Sequence, residues 1–113
     1  MRLVIIESPY AGDIELNLRY LRAAMHDSLL RGEAPYASHG LYTQPGVLDD
    51  NKPEEREHGI QAGFAWRQVA ELTAVYVDLG YSKGMEYGMA DAHKRGVPVE
   101  IRILGENWDR CAP

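Results

Sequence analysis

Two runs constrain the fold more than anything else in the sequence: Leu3-Val-Ile-Ile6 and Leu72-Thr-Ala-Val-Tyr-Val77. Both are almost continuously apolar and rich in β-branched residues. A strand with one wet face alternates apolar and polar residues, so an unbroken run marks a strand covered on both faces. That is the signature of a parallel sheet sandwiched between helices, and the segments between the runs have the helical period needed to cover it. With 113 residues there is room for one such domain and one core.

Ser8-Pro-Tyr-Ala-Gly12 breaks the first run, and Asp13 is a suitable N-cap for the helix that follows. Ile14, Leu18, Leu21, Met25 and Leu29 recur with helical spacing, and Gly32 supplies the C-terminal stop. Ala34-Pro-Tyr-Ala37 reads as a short strand. Residues 39–50, rich in Gly, Pro and Asp and without period, read as a long loop of the functional kind. Pro53, Glu54 and Glu55 open a second helix, with Ile60, Ala62, Phe64, Trp66 and Val69 on its apolar side. Ser82 caps a third helix that Gly96 ends. Val97-Pro-Val-Glu-Ile-Arg-Ile-Leu104 is the last strand, placed at an edge by Pro98. The expected fold is α/β: a doubly wound, mostly parallel sheet of four to five strands, flavodoxin- or Rossmann-like, spanning residues 1–104, with residues 105–113 an irregular tail.

Composition excludes several classes of function. A net charge of −5 argues against a nucleic-acid footprint, which needs a clustered basic face. Cys111 is the one cysteine, so no internal disulfide can form, and the chain is expected to be cytoplasmic. The N-terminal apolar run reads as a strand and not a secretion signal, and no apolar segment approaches a membrane span.

In a doubly wound sheet ligands bind beyond the carboxyl ends of the strands. Here those ends carry Glu7-Ser8-Pro9-Tyr10, the 38–50 loop, and Asp78 to Gly84. Glu86 stands near a helix N-terminus, where the dipole favours an acidic residue, and suits a nucleophile or a stabiliser of a cationic centre, or is simply a good helix starter. Asp78 is a second carboxylate at the cleft or a turn-forming Asp bonding its own backbone. Gly80, Ser82 and Gly84 form a small anion cradle with Lys83, although the turn matches no P-loop. Ser8, Pro9 and Tyr10 offer a hydroxyl and a ring to a sugar or base, or make a Pro-directed turn. His39, Asp49 and Asp50 fit no familiar metal spacing, so no metal and no cofactor is expected. Arg56 is a fork for phosphate or carboxylate, or part of a solvated helix face.

Gly84-Met-Glu-Tyr-Gly-Met-Ala90, preceded by a strand and an Asp, resembles the active-site helix of the nucleoside 2-deoxyribosyltransferase superfamily. The S-P-Y-A-G-D turn (Ser8 to Asp13), the L-D-D and P-E-E-R segment (Leu48 to Arg56) and D-x-G-x-S-x-G-M (Asp78 to Met85) are similar to a small bacterial and phage branch of it. The resemblance runs from Leu3 to about Ile103. In some members of that branch the acid stands two residues on, at the place Gly88 takes here, and others lack it; Asp78 lies two positions earlier than the transferase aspartate.

The resemblance implies a glycosidase or deoxyribosyltransferase that breaks the N-glycosidic bond of a nucleoside or nucleoside 5′-monophosphate. Glu86 would be the nucleophile at the anomeric carbon and Asp78 would assist the departing base. Ser8, Pro9, Tyr10, His39, Asp49, Arg56, Gly80, Ser82, Gly84 and Met85 would bind substrate, the serines on both turns favouring a nucleotide. It also implies a homodimer or higher oligomer, with Asn107 or Trp108 available to complete a partner's site. The rival readings are a nucleotide-binding protein that keeps the cleft without the chemistry and, behind it, a receiver-like scaffold phosphorylated on Asp78.

Overall fold

A computed structural model describes residues 1–109 of the chain. Along them run β1 (Leu3–Glu7), α1 (Ile14–Leu30), β2 (Ala34–Tyr36), α2 (Ser38–Leu41), α3 (Pro53–Trp66), β3 (Leu72–Tyr76), α4 (Lys83–Lys94) and β4 (Val99–Arg102). The four strands form one sheet in the order β2-β1-β3-β4, every pair parallel. From β1 the chain winds outward through α1 to β2; from β3 it winds the other way through α4 to β4. The switch point therefore lies between β1 and β3, where a crevice opens at their carboxyl ends.

The period-two alternation of the strands sorts two cores. Val4 pairs with Leu72 and Ile6 with Ala74. These four and Tyr76 pack against Tyr20, Leu21 and Ala24 of α1. Ile5, Glu7, Thr73 and Val75 turn to the opposite face, where α4 runs along β1, β3 and β4 and buries Met85 and Ala92. β4 is an edge strand, as Pro98 suggests, and the Pro98 carbonyl accepts from Thr73 N at 2.9 Å.

α1 starts where expected, with the Asp13 carboxylate accepting from Leu16 N at 3.2 Å, and Gly32 follows it at φ +80. Its buried face is narrower than the apolar spacing implies, because Ile14 and Leu29 are 43% and 50% exposed. A helix of 17 residues is about 25 Å long. A five-residue strand covers only about 17 Å, so the helix is longer than the strand it follows.

Two expectations change. The 38–50 segment is not wholly irregular: α2 forms within it and packs on α1 through Gly40 and on α3 through Gly63. An ideal Cβ on Gly63 would stand 2.7 Å from Ser38 Oγ, so only glycine lets the two helices meet. On α3 the expected apolar face is only partly used. Ile60 and Phe64 turn inward, whereas Trp66 and Val69 are 49% and 54% exposed. α3 roofs a cavity instead of lying flat on the sheet. The tail has no regular structure to residue 109, but Trp108 folds back on its own chain, its ring 5.0 Å from Tyr20 and nearly perpendicular to it. Cys111 lies outside the described residues.

A candidate active site at the carboxyl ends of the strands

The crevice at the switch point is a cavity of about 350 Å³, the size that takes a small organic ligand. Its floor is the end of β1, with Glu7, Ser8 and Tyr10; one wall is α2 and the loop after it, with His39 and Tyr42. Its roof is the inner face of α3, where Arg56, Ile60, Gly63 and Phe64 recur at helical spacing, and its far wall is the start of α4.

Glu7 is the carboxylate at the bottom, its side chain only 14% exposed. It ends an otherwise apolar strand, and the alternation that buries Ile5 carries it to the α4 face of the sheet. Arg67, at the C-cap of α3 and 2% exposed, donates from Nη2 to Glu7 Oε2 at 3.0 Å. The same guanidinium donates from Nε to Asp91 at 2.9 Å and from Nη1 to Thr73 Oγ1. Asp91 also accepts from Arg95 at 3.0 Å. Burial outweighs the pull of Arg67 and pushes the Glu7 carboxyl up to about 7. Its Oε1 has no hydrogen-bond donor among the described residues. Glu7 fits only because residue 88 is glycine: an ideal Cβ there would lie 2.2 Å from Glu7 Oε2.

Beside it, Ser8 Oγ and His39 Nε2 share a hydrogen bond of 2.7 Å. Burial pushes the His39 imidazole down to about 4, so the ring is neutral at pH 7. At the α4 wall, Ser82 Oγ accepts from Met85 N at 3.2 Å and Ser82 N donates to Met85 Sδ at 3.3 Å, which caps the helix. Ser82, Lys83 and Gly84 of that first turn line the cavity, and a helix N-terminus favours an anion. Arg56 and Lys83 line the same mouth, and neither forms an ion pair among the described residues.

Of the residues singled out from the sequence, Ser8, Tyr10, His39, Arg56, Ser82 and Gly84 come together on this cavity, with Asp50 at its edge. The two expected catalytic carboxylates do not. Glu86 is exposed and outside the cavity lining. Met85, Gly88 and Ala92 set the face of α4 that meets the sheet, and Gly84 and Tyr87 turn to the cavity, which leaves position 86 to solvent. Asp78 is a structural staple. It accepts from Tyr20 OH at 2.5 Å, from Leu104 N at 2.9 Å and from Gly105 N at 3.0 Å, tying the end of β3 to the segment after β4. Burial would raise its carboxyl, but the donors of Leu104, Tyr20 and Gly105 outweigh this and hold it below the usual range. Four other expected ligand-binding residues lie outside the cavity lining. Pro9 is buried in the turn, Asp49 accepts from Asn51 N at 3.0 Å, Gly80 takes φ +87 in its turn and Met85 is a buried cap partner.

The cavity lining also includes Glu7, Arg67 and Gly88, which sequence reasoning did not single out as site residues. An acid ending a fully apolar parallel strand was the available signal for Glu7. Nothing local marks Arg67, whose partners are 60, 24 and 6 residues away. Among the described residues no group of His, Cys, Asp and Glu could hold a metal ion, and no helix is long and apolar enough to cross a membrane.

Residues 2–102 match the model of a family described as a domain of unknown function, DUF7768. Among solved structures the fold is similar to that of a 2-deoxyribosyltransferase from the psychrotolerant bacterium Bacillus psychrosaccharolyticus, with a TM-score of 0.71 and 17% identity. The match covers 92% of this chain and 74% of that one, and at this identity it is a likeness of fold. No curated protein matches the chain.

Proposed function

The chain belongs to the DUF7768 family, and on that premise we propose that its cavity binds a nucleoside 5′-monophosphate or nucleoside and breaks the N-glycosidic bond. The observation that carries this reading is the company the cavity keeps. A buried carboxylate lies at its floor, aromatic rings of Tyr10, Tyr42, Phe64 and Tyr87 line its sides, and a helix N-terminus stands at its mouth with Arg56 and Lys83, two cations that form no ion pair among the described residues. A flat base stacks on rings, a phosphate suits the helix N-terminus with Arg56 and Lys83, and a glycosidic carbon needs a carboxylate beside it. The likeness of fold to a 2-deoxyribosyltransferase supports the same class of substrate.

Incubation with a panel of ribo- and deoxyribonucleosides and their 5′-monophosphates, followed by chromatography for free base, tests the proposal. Base should appear, with the monophosphate turned over in preference to its nucleoside. Arg56→Ala should raise KM for the monophosphate about tenfold, the loss of one charge-assisted hydrogen bond, and leave KM for the nucleoside nearly unchanged. No base from any member of the panel would sink the reading.

The exposure of Glu86 favours a second reading, in which the cavity holds a nucleotide without cleaving it. Calorimetric titration followed by analysis of the recovered ligand separates the two, since intact nucleotide after tight binding supports sequestration. A homo-oligomer is also proposed. Ile101 and Ile103, at and just beyond the β4 edge, are 47% and 72% exposed, and light scattering on the eluting peak gives the state directly.

A further inference from the structure

We infer that Glu7, brought in from the end of β1, and not Glu86 on α4, is the carboxylate that meets the sugar, with Arg67 as its positioning residue and Gly88 as the space that admits it. This rests on the glycosidic reading above and adds the identity of the reacting group. Glu7 lines the cavity at its floor and Glu86 does not. Arg67 fixes one carboxylate oxygen, Oε2, through a 3.0 Å hydrogen bond, and is itself fixed by Asp91 and Thr73. The other oxygen, Oε1, is left to face the ligand. The packing at Gly88 is independent support. A Cβ on that residue would stand 2.2 Å from Oε2, 2.4 Å from Cδ and 2.7 Å from Oε1, so the helix wall has been emptied at the one point where the strand's carboxylate enters.

In the proposed step an Oε1 lone pair forms a bond to the anomeric carbon, the bond from that carbon to the base nitrogen breaks, and its electron pair leaves with the base, which takes a proton from solvent. Water then attacks the same carbon, the ester bond to Glu7 breaks, the carboxylate is restored and the water's proton passes to solvent. A carboxyl raised to about 7 is a more basic, and so stronger, nucleophile once ionised, and the turnover rate should rise with pH through about 7.

The test uses the full chain and three variants, Glu7→Gln, Glu86→Gln and Gly88→Ala, with circular dichroism to confirm the fold of each. Base release should fall at least about 100-fold in kcat for Glu7→Gln with little change in KM, and Glu86→Gln should stay within about threefold of the parent. Gly88→Ala, which keeps every ionisable group, should lower kcat about tenfold or more by displacing the carboxylate. Acid quenching during turnover and peptide mass spectrometry should find the glycosyl mass on the N-terminal peptide that contains Glu7. An active parent with an unimpaired Glu7→Gln, or with the added mass on the α4 peptide, overturns the assignment of Glu7 alone. A parent that releases no base overturns the glycosidic reading and the role of Glu7 together.

Discussion

Glu7 and Gly88 show how a buried carboxylate can depend on a side chain that is absent. Alanine is ordinarily the better helix residue by about 0.5–1 kcal/mol. At position 88 the added methyl would run into a carboxylate that Arg67 holds in place. Gly88→Ala should therefore destabilise the chain by about 1–3 kcal/mol, the usual cost of overpacking. In a Glu7→Ala background the sign should reverse, and alanine should stabilise by a few tenths to about 1 kcal/mol. A double-mutant cycle by urea denaturation measures this; additivity within about 0.5 kcal/mol would show that the two positions do not compete for space. Arg67 is the other residue on which the placement of Glu7 turns. Arg67→Met leaves the Glu7 and Asp91 carboxylates buried without their shared cation, and should cost about 3–5 kcal/mol at pH 8. The loss should shrink at pH 5, where a Glu7 carboxyl raised to about 7 is neutral.

At the scale of elements, α4 serves two purposes with two faces. Met85, Gly88 and Ala92 pack on the sheet, while the first turn and Tyr87 border the cavity. Its N-terminus is held by the Ser82 hydroxyl on Met85 N, so Ser82→Ala should cost about 1 kcal/mol of stability. The same substitution should weaken monophosphate binding more than nucleoside binding, a difference that calorimetry can read, because a frayed first turn presents its N–H groups less well. α3 behaves as a roof. Glu55, Arg56, Gly59, Ile60, Gly63 and Phe64 line the cavity, of which only Gly63 is fully buried, and the C-cap of α3 delivers Arg67 to Glu7 and Thr73 on the α4 face of the sheet.

At the scale of the molecule, buried titratable groups oppose one another. Between about pH 7 and 4.5 the folded chain takes up a proton at Glu7 that the unfolded chain does not, so acidification adds stability. Between 6.5 and about 4 the unfolded chain takes up a proton at His39 that the folded chain refuses, so acidification removes stability. The two slopes cancel in part, and stability should be nearly level from about pH 6.5 to 4.5. Below 4.5 it should fall, because Glu33, bonded by Arg102 and Ser28, is held down to about 2. Urea denaturation across this range tests the balance. Glu7→Gln should remove one of the slopes, leaving stability that rises with pH between about 4.5 and 6.5; a level profile in that variant would count against the burial of His39.

The sequence by itself determined the four strands and the three longer helices, that the sheet is parallel, and which turns stand at the carboxyl ends of its strands. Those properties follow from near-neighbour patterns: unbroken β-branched runs, caps at Asp13 and Ser82, glycine stops at Gly32 and Gly96. Ser8, Tyr10, His39, Arg56, Ser82 and Gly84 reach the cavity because each sits at an element's edge, and topology alone carries such edges to the crevice. The tertiary structure decided which carboxylate faces it. A residue one position along a helix turns about 100°. The difference between Glu86 in solvent and Gly88 against Glu7 is thus a matter of how α4 rolls on the sheet, and packing distributed over β1, β3 and β4 sets that roll. The Glu7–Arg67 pair spans 60 residues, and no local pattern encodes a contact whose geometry exists only after the sheet has formed.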